Sequence, residues 1–530
     1  MSPNDDSGSA KPLGLVPALI LYAAAFAVLL PFLRFHIDSD GISYIDIARH
    51  YADGNFVYAI NGYWGPLLSW LMTPLLAAGV PALIAAKTAC FIGGIPLLAG
   101  IKKLCRLFAL SARMETAVML VAVVMALSFF VQLISPDLLI AGIMALYLSR
   151  SLDENIGANQ QDGVACGVLG AAGYFAKSYA MPFFIVHFTA VCMLRRRWSQ
   201  DAQRRARLTR TWVMGVAAFA VACSPWVTLL SMHYGRFTVN TTGAYNRAVV
   251  GPSYMGHPVA YEGFFKPANP LATSVWEDPS QIPVRPWSMF DSAEDLRHQA
   301  AIAVKNVMAE MDAFQSISFF ALAILLVLAV LSLEEGETAH LSLLALLSIA
   351  IYCAGYVPIV VRARYLYPAY ILLLVAGGKL AGEVLGRISL SRTQKGLAAT
   401  VFFASFLVSP AINIAGSINE SRDVQELAAS LSRVIGSGRT ISSNARWMET
   451  LNIASLTKSR YIGQAAIGMN PRTVAITLDL MGADYFIAWN ENPLHPEGWV
   501  EISEGQLPGL LVFAPPPKSL PRATVSSAQP

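Results

Sequence analysis

Runs of apolar residues dominate the chain. The first, Leu13 to Leu33, holds about twenty residues with no charge among them, enough for a helix to cross a hydrocarbon layer about 30 Å thick with its backbone hydrogen bonds made internally. It is too long for the apolar part of a signal peptide, and no small-residue cleavage site follows Phe35, so it reads as a retained span. Further runs follow at about 80–101, 114–134, 137–150, 163–176, 178–194, 211–231, 315–333, 341–361, 366–385 and 396–415. This pattern predicts a polytopic α-helical membrane protein with about 11 transmembrane helices, two or three of them short, over residues 13–415.

Two of the stretches between runs are long, 34–79 and 232–313. In the first, Ile42, Ile45, Ala48 and Tyr51/Ala52 space as one helix face, with Asp46, Arg49 and His50 turned away, which predicts a helix lying in the interface plane. Tyr63 to Gly79 opens with aromatics, carries Pro66 and Pro74, and reads as a second interfacial or re-entrant helix. Past residue 415 the period changes. RDVQELAASLSRVIG has helical spacing, RTISSNAR and DYFIAW read as strands, and PRTVAITLDLMGA reads as a helix leading into the second strand, so 416–515 is expected to form a small C-terminal α/β domain. Residues 1–12 and 516–530 read as disordered ends.

Only 14% of the 530 residues are charged, against about 25% in a soluble domain. That excludes an ordinary cytosolic enzyme, and a net charge of +4 is too small to imply a nucleic-acid partner. The placement of the cations says more. They cluster at Lys102, Lys103, Arg106 and Arg113, then from Arg195 to Arg210, then at Arg387, Arg392 and Lys395. Lys and Arg near span ends are retained in the cytoplasm. With the N-terminus inside and eleven spans, all three clusters fall in the cytoplasm, while 34–79, 232–313 and the C-terminal domain fall outside. The 6 cysteines lie in or beside apolar runs without metal-ligand spacing, so neither a disulfide framework nor a zinc site is expected.

The outer loops carry the candidate chemistry. Asp38 and Asp40 follow directly on the first span, where a carboxylate costs free energy unless it has a partner or a task, and the pair suits a general base or a divalent cation. Asp137 opens the fourth span, Lys177 sits at an outer turn flanked by Tyr174 and Tyr179, and Arg362 and Arg364 break the positive-inside pattern in VRARYLYPAY. A guanidinium pair at headgroup level suits bidentate contact with a phosphate. Each group also has a plainer account: a wet loop for the Asp pair, an aromatic belt for Tyr63 and Trp64, a helix cap for Asp137, snorkelling for Lys177, headgroup binding for the arginines. Together, carboxylates that can deprotonate a hydroxyl, cations that can hold a leaving phosphate and aromatics that can stack on a sugar are the inventory for glycosyl transfer from a lipid phosphate. In the second long loop His257, Tyr261 and Glu262 are candidates with no motif behind them, and loop packing accounts for them as well.

With these residues in place the chain resembles the GT-C class of membrane glycosyltransferases, in particular bacterial relatives of protein O-mannosyltransferases, of the lipid A aminoarabinose transferase and of the rhizobial galacturonosyltransferases. The matching elements are Asp40, Tyr44, Ala48 and Arg49, the segment YWGPLLSWLMTPLL, Pro136-Asp137, Gly173 to Lys177, and Arg364 to Pro368. The resemblance covers 13–415 and implies inverting transfer of a sugar from a polyprenyl-phosphate-linked donor to a hydroxyl on a glycan, lipid or protein, at the periplasmic face of a bacterial inner membrane. It implies Asp40 as general base with Asp38 assisting or orienting it, Lys177, Arg362 and Arg364 on the donor phosphate, and Tyr44, Tyr63, Trp64, Asp137 and Tyr365 about the sugar or acceptor. Gly41 stands where many relatives have a second acidic residue, and no acidic residue adjoins Tyr63 and Trp64. No cofactor is therefore expected to be required, with a divalent cation as the possible exception. A transporter of lipid-linked sugars, a non-catalytic lipid-binding envelope protein, and a polymerase or ligase acting on a lipid-linked oligosaccharide are the other readings. A transporter usually places ionisable groups near mid-membrane and shows internal repeats; here His187 is almost the only such group and no repeat is seen.

Overall fold

Apolar runs longer than a strand fold as helices, and the eleven runs all do so in the computed structural model, which describes residues 11–507 and 509–516. The disordered ends expected at 1–12 and 516–530 fall almost wholly outside these residues. The chain divides into two compact units, one up to Tyr254 together with Asp278–Ser421, the other Met255–Glu277 together with the chain from Arg422 onward.

The first unit is helical. Its elements are α1 (Leu15–Leu33), α2 (Ser39–Ala52), α3 (Phe56–Ala59), α4 (Pro66–Ala77), α5 (Ala82–Ile92), α6 (Gly94–Leu107), α7 (Ala112–Val131), α8 (Asp137–Ser151), α9 (Gln161–Ala176), α10 (Ala180–Trp198), α11 (Ala202–Tyr234) and α12 (Thr242–Val249). After the second long loop come α13 (Ala293–Ile317), α14 (Ala321–Leu331), α15 (Glu337–Ala354), α16 (Tyr367–Arg387), α17 (Arg392–Ser405) and α18 (Val408–Gly416). Among the described residues 6 helices are long and apolar enough to cross a membrane, or up to 8 if each bent pair, α13 with α14 and α17 with α18, counts as one. The reading of about eleven spans includes three further helices that do not meet that standard. α8 and α9, of 15 and 16 residues, are short, and α10 ends on Arg195, Arg196 and Arg197.

The amphipathic reading of α2 needs correction. Asp46 and His50, expected to face away from the apolar side, are 4% and 3% exposed. The reason is that α2 packs along α4, which covers a second face of it. α6 crosses α8, and α9 crosses α11, both at close range through glycines: a Cβ on Gly142 would strike the Gly93 carbonyl, and one on Gly167 the Gly215 carbonyl.

The second unit is α/β. After α19 (Arg422–Ile435) come β1 (Thr440–Ser443), α20 (Trp447–Leu456), β2 (Arg460–Gln464), α21 (Pro471–Met481), β3 (Tyr485–Trp489), β4 (Val500–Glu501) and β5 (Leu510–Ala514). The sheet order is β2-β1-β3-β5-β4, with β1 parallel to β2 and β3 and with β5 antiparallel to β3 and β4. Ile462, Val474, Leu478, Phe486 and Phe513 form its core. The segment 255–277 belongs to this unit: Phe264 bridges Gly463, and His257 and Tyr261 pack locally, His257 edge-on to Trp276 and the Tyr261 hydroxyl accepting the Met255 N–H.

Candidate functional site

Four helix ends in the first unit bring distant charges together. Asp38 is the N-cap of α2 and Asp40 lies in its first turn. Asp137 opens α8, Lys177 stands at the break between α9 and α10, and Arg364 sits in the single 3-10 turn Ala363–Leu366 that leads into α16. Carboxylates are favourably placed at the starts of α2 and α8, where the first N–H groups are unpaired and the helix dipole is positive.

Arg364 bridges two carboxylates. Its Nη2 donates to Asp40 Oδ2 at 2.9 Å, and its Nη1 lies 3.6 Å from Asp137 Oδ2. Lys177 Nζ donates to Asp137 Oδ1 at 2.7 Å. The result is a chain Asp40–Arg364–Asp137–Lys177 in which two negative and two positive charges balance. Exposure separates its members: the side chains of Asp40, Arg364 and Lys177 are 20%, 21% and 22% exposed, whereas that of Asp137 is 2% exposed. Three reachable groups therefore rest on one buried anion, which Ser135 further orients by donating its hydroxyl to Oδ2 at 2.9 Å.

Asp38 has a different surrounding. Its Oδ1 accepts the Gly41 N–H at 2.9 Å and its Oδ2 the Ile134 N–H at 2.7 Å, so it ties the start of α2 to the connection between α7 and α8. Burial first, and then the Asp40 carboxylate, push its carboxyl up to about 6.

Aromatic rings wall the charges. Lys177 Nζ stands 3.8 Å over the ring of Tyr365, which stacks on Tyr356 at 5.0 Å, so the amine is held from beneath by a π face as well as by Asp137. On the other side Tyr44 meets Trp64 edge-on at 5.2 Å, and Trp64 meets Tyr63 at 4.6 Å. Tyr63 donates its hydroxyl to Asn246 of α12 at 3.2 Å, and Asn61 Oδ1 accepts the N–H groups of both Tyr63 and Trp64. Gly65 is required here for space: a Cβ would meet the Phe175 and Ala176 carbonyls at the end of α9.

Of the residues singled out in the sequence, Asp40, Asp137, Lys177, Arg364 and Tyr365 meet in one network, and Asp38 adjoins it through Gly41 and Ile134. Tyr44, Tyr63 and Trp64 form a contiguous aromatic group, while Arg362 is exposed and outside the ion-pair chain. Ser135, Tyr356, Asn61 and Asn246 were not anticipated. Only Ser135 carried a local signal, as the hydroxyl two residues before a helix-opening Asp. A divalent cation fits this donor set poorly: Asp40 and Asp137 are engaged by Arg364 and Lys177, and among the described residues no three His, Cys, Asp or Glu side chains converge.

No protein-family profile matches the chain, and no curated protein sequence matches it. Solved structures do. ArnT from Cupriavidus metallidurans bound to undecaprenyl phosphate superposes with a TM-score of 0.56 at 13% identity, over 94% of this chain and 97% of that one. The Archaeoglobus fulgidus oligosaccharyltransferase complex with Zn and sulfate superposes with a TM-score of 0.55 at 12% identity, over 90% of this chain and 67% of that one. The fold is that of the GT-C glycosyltransferases, as the resemblance implied.

Proposed function

We propose that the chain is an inverting glycosyltransferase that moves a sugar from a polyprenyl-phosphate-linked donor to a hydroxyl acceptor. The observation that carries this reading is the Asp40–Arg364–Asp137–Lys177 chain, a reachable carboxylate beside two reachable cations at one end of the helices. The fold shared with a transferase solved with undecaprenyl phosphate supports it.

The chemistry follows from charge balance. The resting chain is neutral, so a donor phosphate competes with Asp40 for Arg364. As Arg364 turns to the phosphate, it gives up its hydrogen bond to Asp40, whose carboxylate can then accept a proton beside the sugar. The acceptor hydroxyl attacks the anomeric carbon, its proton passes to Asp40, and the carbon–oxygen bond to the phosphate breaks with inversion. The charge that develops on the leaving phosphate is met by Lys177 and Arg364, with the exposed Arg362 at the rim. Asp137 remains buried and acts as the fixed counter-ion of both cations rather than touching the sugar. Asp38 holds the start of α2, and with it Asp40, in place. Tyr63 and Tyr365, both partly exposed, present faces for a sugar ring or the first isoprene units, and the buried Tyr44 and Trp64 pack beside Tyr63.

The membrane arrangement belongs to the same proposal. α8, α9 and α10 complete eleven crossings with the six long helices and the two bent pairs, which puts the basic loops in the cytoplasm of a bacterial cell and the site and the C-terminal unit in the periplasm. The acceptor is a glycan, lipid or protein on that side. The test compares envelope lipids, polysaccharide and glycoproteins by mass spectrometry from cells with no copy, the native chain, or Asp40→Asn at equal level. A hexose- or uronate-sized increment that depends on the native chain and is absent with Asp40→Asn supports the reading and names the acceptor. An Asp40→Asn profile identical to the native one removes Asp40 as base.

A further inference from the structure

The ends of α8 and α9 remote from Asp40 carry a second feature. α8 opens with Asp137 and closes near Arg150, and α9 opens with Gln161 and leads into Lys177. At about 1.5 Å of rise per residue the two ends lie about 20 Å apart, so whatever surrounds Arg150 and Gln161 is separate from the site. A groove of about 660 Å³ runs there, lined along its length by Leu146, Val164, Val168 and Met214. Val164 and Val168, one turn apart on α9, are 38% and 51% exposed. Its mouth is polar, with Lys103, Arg150 and Gln161, and a basin of about 550 Å³ that shares Lys103 and Arg150 adds Arg106.

The acids of that basin are already engaged. Asp162 accepts from Arg150 Nη1 at 2.8 Å and from the N–H groups of Gly157 and Asn159, and Asp153 accepts the Asn155 N–H at 2.8 Å. Lys103 and Arg106, exposed on one turn of α6, enter no ion pair or side-chain hydrogen bond among the described residues. Lys103 at the mouth of the apolar groove and Arg106 in the adjoining basin thus stand one turn apart with no ion pair among the described residues.

We propose that this groove holds one anionic diacyl phospholipid of the bilayer, its phosphate between Lys103 and Arg106 and an acyl chain along Val164 and Val168. An ammonium and a guanidinium one turn apart match a phosphodiester, and basic pockets between helices at the positively charged membrane face attract acidic headgroups. A zwitterionic lipid brings its own cation against Lys103 and Arg106, and a free phosphate leaves the apolar channel empty. The site is independent of the transferase reading.

The experiment uses the full chain in nanodiscs of phosphatidylcholine with phosphatidylglycerol as a minor component. Native mass spectrometry reads the lipid that stays bound after release. Phosphatidylglycerol should be retained over phosphatidylcholine by about thirtyfold relative to its abundance, given about 1 kcal/mol for each of the two cations. Replacing both cations, Lys103→Gln with Arg106→Gln, should abolish that preference. Val168→Trp should expel the lipid with both cations present, Arg196→Gln with Arg197→Gln, outside the groove, should change nothing, and millimolar glycerol phosphate should not compete. Equal retention of the two lipids, an equal loss in the Arg196/Arg197 pair, or displacement by glycerol phosphate would overturn the proposal.

Discussion

Asp40 and Asp137 share one guanidinium, but only Asp40 can leave it. Asp137 is buried and held by Lys177, Arg364 and Ser135, whereas Asp40 touches solvent and has an exchangeable partner. Asp40→Asn should therefore lower kcat by about 10²–10⁴ with little change in Tm. Asp137→Asn strips two cations of their counter-ion and should lower activity and Tm together. Equal Tm losses in the two variants, read on the reconstituted protein, would remove the distinction. Asp38 makes a second prediction. A carboxyl of the unfolded chain titrates near about 3.9, and this one is raised to about 6 in the fold. Between those values the folded chain binds a proton that the unfolded chain has released, so the Asp38 contribution to stability falls as the pH rises through that window. Asp38→Asn stays neutral and has no such slope. Its Tm relative to the parent should therefore improve from about pH 4 to about pH 7, and parallel curves would show that Asp38 does not titrate there.

Packing of α9 on α11 fixes where Lys177 sits. Gly163 and Gly167, one turn apart, bring the α9 backbone against the Thr211 and Gly215 carbonyls, an approach that any side chain blocks. Gly167→Leu should push the helices apart and cost about 1–3 kcal/mol or more, with a fall in the proposed transferase activity because α9 leads into Lys177. A variant with the parent Tm would mean that the crossing adapts. The elements themselves were legible, since every apolar run became a helix and α19, β1, α21 and β3 match segments whose period was plain. What the runs hid was context. α2 reads as amphipathic because its pattern says nothing of α4, which buries Asp46 and His50 from a second side. The ion-pair chain was only half legible: the residue types were apparent, but the contact of Asp40 with Arg364 spans 324 positions and depends on how α2 and α16 end.

On the scale of the molecule, the least legible feature is that the second long loop contributes to the C-terminal unit. No motif marks 255–277, because its attachment is made largely by backbone. β2 is the edge strand of the sheet, and unpaired edge groups invite association with other chains. The segment covers that edge: the Phe265 N–H reaches the Ile462 carbonyl and the Tyr461 N–H reaches the Thr273 carbonyl, both at 2.7 Å, while Trp276 meets Trp447 edge-on at 5.8 Å. Phe264 packs on the core. These two hydrogen bonds at about 1 kcal/mol each and the burial of two aromatic rings at about 1.5–3 kcal/mol each place this part of the attachment at about 5–8 kcal/mol before chain entropy. Residues 422–516 produced alone should then unfold at a lower urea midpoint and self-associate through β2. The same residues joined to 255–277 by a flexible linker should be monomeric with a higher midpoint, as read by circular dichroism and sedimentation. Identical midpoints and two monomers would mean that the sheet stands without its cover, and that 255–277 is held in place by the C-terminal unit without stabilising it in return.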